Sequence, residues 1–143
     1  MTTIRQNIID YLETLLATIP GISVYPWRVY ATGAYDMPCI VVKDENENIS
    51  EDDYSYTEER VLEISIDINT TGTDCLDKAR EFAGIVYQYL GSDMTAGGNC
   101  VNIQYVNNEL ELIHGEELIA SMSMTFNFTY NIKKFNEDVV SYA

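Results

Sequence analysis

From Ala120 to Ile132 the chain reads ASMSMTFNFTYNI. Apolar side chains fall at Ala120, Met122, Met124, Phe126, Phe128, Tyr130 and Ile132, and every position between them is polar. A period of two without an error marks a strand with one face in a core. Thirteen residues at roughly 3.3 Å each span about 43 Å, whereas an ordinary strand has about five or six residues. The polar face consists of Ser121, Ser123, Thr125, Asn127, Thr129 and Asn131 and carries no charge. A face meant for bulk water normally holds Lys or Glu, so this stripe is a candidate contact surface.

Elsewhere the spacing predicts two helices and further strands. Ile4, Ile8, Tyr11, Leu12, Leu15 and Leu16 recur at three- and four-residue steps ahead of Pro20 and Gly21, with Thr2 or Thr3 as N-cap and Thr3 with Gln6 as a capping box. A strand is predicted over Ile22–Tyr30, where Pro26 favours an edge or a bulge. Thr32–Met37 should turn the chain, and Pro38–Lys43, PCIVVK, is a short β-branched strand. Asp44–Glu59 holds eight acids and no base, which predicts a solvated loop. Arg60–Ile68, RVLEISIDI, alternates again. Asp74 can cap a second helix lined by Leu76, Ala79, Ala83, Val86, Tyr87 and Leu90, with Gly91 as its end. Ser92–Asn99 reads as a flexible connection. Val101 to Ile113 alternates except around Asn107 and Asn108, where a bulge fits, and His114–Glu117 makes a turn.

If that turn closes a hairpin, residues whose numbers sum to about 231 lie opposite one another, which puts Tyr105 near Phe126 and Ile103 near Phe128. Such cross-strand aromatic pairs contribute roughly 0.2–1 kcal/mol each. The order helix, three strands, helix, two strands predicts an α+β fold. Its sheet is mainly antiparallel, two helices cover one face, and a long C-terminal β-hairpin completes it. No repeat or linker divides residues 1–143, which form a single domain with an acidic loop at 44–59 and a C-terminal tail at 134–143.

Composition narrows the function. A chain of 143 residues is long enough for one core. Its 23 acids against 8 bases give a net charge of −15, which argues against a phosphate-tracking surface. No basic-then-apolar leader opens the chain, and no apolar run reaches the length of a membrane span. Cys39, Cys75 and Cys100 lie far apart without a CxxC pair, so three buried thiols in a reducing compartment are expected rather than a disulfide or a zinc site. The sequons at Asn48, Asn69 and Asn127 are then chance matches.

Catalytic chemistry finds little support. The only histidine, His114, sits in a turn beside Glu116 and Glu117, where a general base has neither pocket nor partner. Asp44, Asn46 and Asn48 occupy the first three ligand positions of a calcium loop, but Ile49 stands where its glycine is required and Ser55 where its glutamate is required. Gly97 and Gly98 lack the strand–loop–helix setting of a phosphate cradle, and Asp74 and Asp77 suit a helix start. No metal or cofactor is implied. Of the eleven tyrosines, Tyr11, Tyr87 and Tyr105 fit a core, while Tyr54 and Tyr56 in the acidic segment are candidate contacts.

Several features in their order resemble one family. They are a first helix opening Ile4-Arg5, a proline-led strand Met37–Val42, an acidic loop, and an arginine-led strand Arg60–Asp67. A helix follows that begins Leu76-Asp77-Lys78-Ala79 and ends Tyr89-Leu90-Gly91, and Gly115-Glu116 then precedes a long alternating strand. Together they resemble the tail terminator, or minor tail protein U-like, family of long-tailed bacteriophages. The acidic segment's length and the tail after Lys134 depart from the pattern. The resemblance implies a non-enzymatic virion protein of the tail, assembled in the host cytoplasm as a homo-oligomeric, hexameric ring. That ring would sit on the tail tube protein, stop its growth and present a surface to a head-completion or neck protein. Under this reading the stripe from Ser121 to Asn131 contacts a neighbouring subunit or lines the lumen. Asp44, Glu45, Glu47, Glu51, Asp52 and Asp53 are candidates for an acidic lumen or loop that lets DNA pass without specific binding. The alternatives are a head-completion or neck connector and an acidic DNA mimic. A small α+β enzyme or ligand-binding domain is the reading from a third class.

Overall fold

The computed structural model describes residues 3–27, 37–51, 56–133 and 135–140, with side chains for all of these except 51 and 137–140. Along them run α1 (Ile4–Leu16), β1 (Ser23–Pro26), β2 (Cys39–Glu51), β3 (Thr57–Thr71), α2 (Cys75–Gly91), β4 (Asn102–His114), β5 (Leu118–Lys133) and β6 (Asn136–Val140). The fold is α+β, with a sheet ordered β1-β2-β3-β5-β4 and β6 on β5.

Both helices form where the spacing predicts them, Thr3 caps the first and Gly91 ends the second as expected, but two of the expected cap bonds are not made. The Gln6 amide donates to Thr3 Oγ1 at 3.1 Å. The Gln6 side chain turns forward to Asp10 at 2.8 Å, so the reciprocal half of the capping box is not made. Asp74 makes no side-chain cap bond; its carboxylate lies 3.3 Å from Lys78 Nζ instead, and the Cys75 amide donates to the Gly72 carbonyl. Ser92–Asn99 is a closed turn. Asp93 Oδ1 accepts from both the amide and the hydroxyl of Thr95, and Oδ2 accepts from the Gly97 amide. Those bonds, led by the Thr95 hydroxyl, hold the Asp93 carboxyl below its ordinary range. Gly97 is at φ +70, and a Cβ there would meet the Tyr11 ring at 3.2 Å.

The alternating segment is the centre of the sheet. β5 pairs antiparallel with β4 in the predicted register, Ile103 opposite Phe128 and Tyr105 opposite Phe126. The register shifts by one between Tyr105 and Asn107, so the bulge sits at Val106, just before the two asparagines. β5 also pairs along its whole length with β3, from Thr57 opposite Lys133 to Thr71 opposite Ile119. The long strand therefore lies between β3 and β4 rather than beside a single partner.

The acidic segment is a strand rather than a loop. Asp44, Glu45, Glu47 and Glu51 belong to β2, and Glu58 and Glu59 open β3. The two strands pair to Glu51 opposite Glu58, with an irregularity between Asp44 and Glu47. Acids are poor strand formers, but a paired strand satisfies its backbone, and Arg5 and Arg60 neutralise part of the charge. Asp52, Asp53 and Tyr54 lie outside the described residues. Tyr56, in the β2–β3 connection, is almost fully exposed. β1 runs parallel to β2, with only 23–26 of the predicted 22–30 strand assigned, residues 28–30 lying outside the description. The tail beyond 134 contains β6, which takes the edge of β5 at Ile132 and Lys133 where β4 has ended.

The core lies between the helices and one face of the sheet. Ile4, Ile8, Leu12 and Leu16 of α1 and Cys75, Ala79, Val86 and Leu90 of α2 meet Leu62, Ile64, Ile66 and Ile68 of β3. Met122 through Ile132 of β5 supply their alternate residues to the same cluster. Phe126 and Phe128 are essentially inaccessible, and burying each such side chain contributes roughly 1.5–3 kcal/mol. All three thiols are buried and free. Burial raises the Cys39 thiol and pushes Cys100 up to about 12.

Candidate functional site

The polar stripe of β5 points away from both helices. Because successive side chains alternate, the outward residues of β3 and β4 flank it: Glu59, Val61, Glu63, Ser65, Asp67 and Asn69 on one side, Gln104, Asn107, Glu109 and Glu111 on the other. Ser121, Ser123, Thr125, Asn127, Thr129 and Asn131 are all half-buried. Two bordering strands shade them, which open water would not. At one end the face is closed further. Cys39, Val41, Ser65, Asp67 and Asn69 are buried there, Lys43 Nζ lies 2.6 Å from Asp67, and the Ser65 hydroxyl donates to Asp67 and shares a bond of 2.8 Å with Ser123. The stripe is thus an uncharged lane between two columns that carry carboxylates. A long charged side chain in the lane would lie against those columns.

A second group of polar residues lies on the helix side, where α1 crosses β2. Arg5 reaches Asp44 at 2.6 Å and Glu47 at 3.3 Å. Arg60 lies 2.6 Å from Glu58 and 3.8 Å from Glu47. The Tyr130 hydroxyl donates to Glu47. Arg60, Glu47 and Glu58 keep only 10–12% of their side-chain surface. Burial first, then the hydrogen bond to Glu47, raise the Tyr130 phenol. For Arg5 burial opposes the charge, yet the bond to Asp44 and the charges of Asp44 and Glu47 prevail and raise its pKa. Asp44 and Glu47, assigned from sequence to an acidic loop or lumen, are therefore committed to ion pairs inside the molecule; Glu45 is exposed. An arginine 39 or 42 residues away gives no local signal, which is why sequence reasoning missed the cluster.

A third feature runs between α2 and β4. A cleft of about 140 Å³ is lined by Tyr87, Leu90, Met94, Ile103, Tyr105 and Phe126, with Gly91 at its side. It adjoins a wider recess formed with Met122 and Met124 that shares Tyr87 and Tyr105. Tyr105 stacks on Phe126 at 4.8 Å and leans on Tyr87 at 5.5 Å. Tyr87 is 56% exposed and Met94 45%, so Tyr87 and Tyr105, which fit a core by spacing, form instead an apolar rim. The rim follows from β4 being the edge strand, with nothing paired beyond it among the described residues.

None of these features assembles a reaction centre. His114 ends β4, exposed, opposite Leu118. Among the described residues no three His, Cys, Asp or Glu side chains gather as metal ligands, and no helix is long and apolar enough to cross a membrane. Set against known proteins, the chain matches no family model and no curated protein sequence.

Proposed function

We propose that the protein is a virion structural component of a long-tailed phage, a tail terminator that closes into a homohexameric ring. In this reading the ring caps the tail tube, ends its polymerisation and offers the surface to which the head-side neck protein joins. The observation that carries the proposal is the one-sided architecture. Both helices pack on one face of a long sheet, and the other face presents an uncharged lane on a chain of net charge −15. Interface centres are depleted of charge, so the lane suits a surface covered by a neighbour or set along a lumen. The outward carboxylates of Glu59, Glu63, Glu109 and Glu111 would repel phosphate, and DNA would slide past without sticking.

Six copies at −15 each oppose closure until ions screen them. The protein is therefore monomeric at low salt and forms rings as salt or magnesium rises. Negative-stain microscopy of concentrated protein with and without magnesium tests this, and rings with a central hole are the expected result. Hydrogen exchange adds a second reading: amides from Ser121 to Asn131 should be slower in rings than in free subunits. Sedimentation that gives a salt-independent monomer or dimer refutes the proposal.

A further inference from the structure

Phe135 is the most exposed apolar side chain among the described residues, with 102% of its reference surface accessible. It stands in the turn between β5 and β6 at φ +62, a backbone region that bulky residues rarely adopt. Unlike Tyr56, which is 90% exposed, Phe135 has no hydroxyl to satisfy in water. An aromatic ring this exposed, held in an uncommon backbone conformation at the edge of a shallow recess it shares with Ile49, Glu58 and Arg60, is a knob.

The cleft between α2 and β4 is the matching receptor. It is apolar, it is rimmed by exposed Tyr87 and Met94, and it is small enough for one ring system to anchor. From Met94 to Asn108 not one residue is charged, although Asp93 and Glu109 bound that run on either side. A partner rich in Lys and Arg would be met by carboxylates. A neutral, apolar window on a strongly anionic chain is instead the place where another anionic chain can approach without repulsion. We infer that the occupant is a second copy, whose Phe135 inserts beside Tyr87, Met94 and Tyr105 of its neighbour. Knob and cleft are different surfaces, so the contact is head-to-tail, and each copy engages two neighbours. Such heterologous contacts close into rings when the rotation permits. The inference rests on the ring reading above and supplies its contact.

The test uses full-length Phe135→Ala and Tyr87→Glu, both at exposed positions, followed by sedimentation across salt and protein concentration. Each variant alone should need about tenfold or more protein to assemble, in line with the loss of an anchoring aromatic, while its melting temperature stays that of the wild type. Phe135→Leu should restore much of the assembly. Mixed in equal amounts where either alone is monomeric, the two variants should form discrete one-to-one heterodimers, since Phe135→Ala keeps an intact cleft and Tyr87→Glu an intact knob. Rings of Phe135→Ala at wild-type concentration overturn the inference and leave the ring reading standing, as does a mixture that stays monomeric. Wild-type protein that never assembles overturns both.

Discussion

Arg60→Met removes a charge while keeping most of the methylene packing, and its consequence can be worked from the ion pairs. In the folded chain Arg60 lies between Glu58 at 2.6 Å and Glu47 at 3.8 Å, all three nearly withdrawn from water. Without the guanidinium, Glu58 loses its short pair, and Glu47 keeps only Arg5 at 3.3 Å and the Tyr130 hydroxyl. Removing one partner of a buried pair destabilises by about 3–5 kcal/mol, because the remaining charge is left uncompensated. The residual 10–12% exposure places the expectation at the lower end, about 3 kcal/mol. For a domain of this length that lowers Tm by roughly 6–12 °C. Urea denaturation should show a lower midpoint with an unchanged slope. Arg5→Met should lose less, since Arg5 keeps 35% of its side-chain surface and water screens what remains. Adding Glu58→Gln to Arg60→Met should recover part of the loss by removing one stranded carboxylate. A loss below about 1 kcal/mol for Arg60→Met, or an equal loss for Arg5→Met, would show that the cluster is solvated.

Alkaline pH should destabilise the fold in a defined window. The Cys100 thiol rises from 9.0 to about 12 on folding, so the unfolded chain gives up this proton first. Stability is then complete below about pH 9 and falls as pH climbs toward 12. Cys100→Ala, compared with wild type by urea titration at successive pH values, should flatten that slope; an unchanged slope refutes the assignment. Gly97→Ala should destabilise by about 1–2 kcal/mol through its left-handed backbone alone, with the Tyr11 contact at 3.2 Å adding to it; a neutral melt would contradict the turn geometry. Ser123→Ala should cost about 1 kcal/mol through the lost bridge to Ser65, read as a shift in urea midpoint, with no effect on the far-ultraviolet spectrum.

Much of the framework was legible along the chain. The error-free alternation at 120–132 determined which side chains of β5 are inward, and the turn at 114–117 together with the bulge before Asn107 determined a register that places Tyr105 on Phe126. Both follow from local periodicity, since a pleated strand must send alternate residues to opposite sides. The three- and four-residue spacings determined both helices in the same way. What no local pattern carries is who lies beside whom. Only the tertiary structure made β5 a central strand, and so turned its polar face into a half-buried lane. Only the tertiary structure made a strand of the acidic run around Asp44 and Glu47, because pairing with β3 and the charge of Arg5, 39 and 42 residues away, offset a weak local preference. β4 likewise became the outer strand of the sheet, which left Tyr87 and Tyr105 at a rim, because exposure depends on what pairs beyond a strand and its own residues do not encode that.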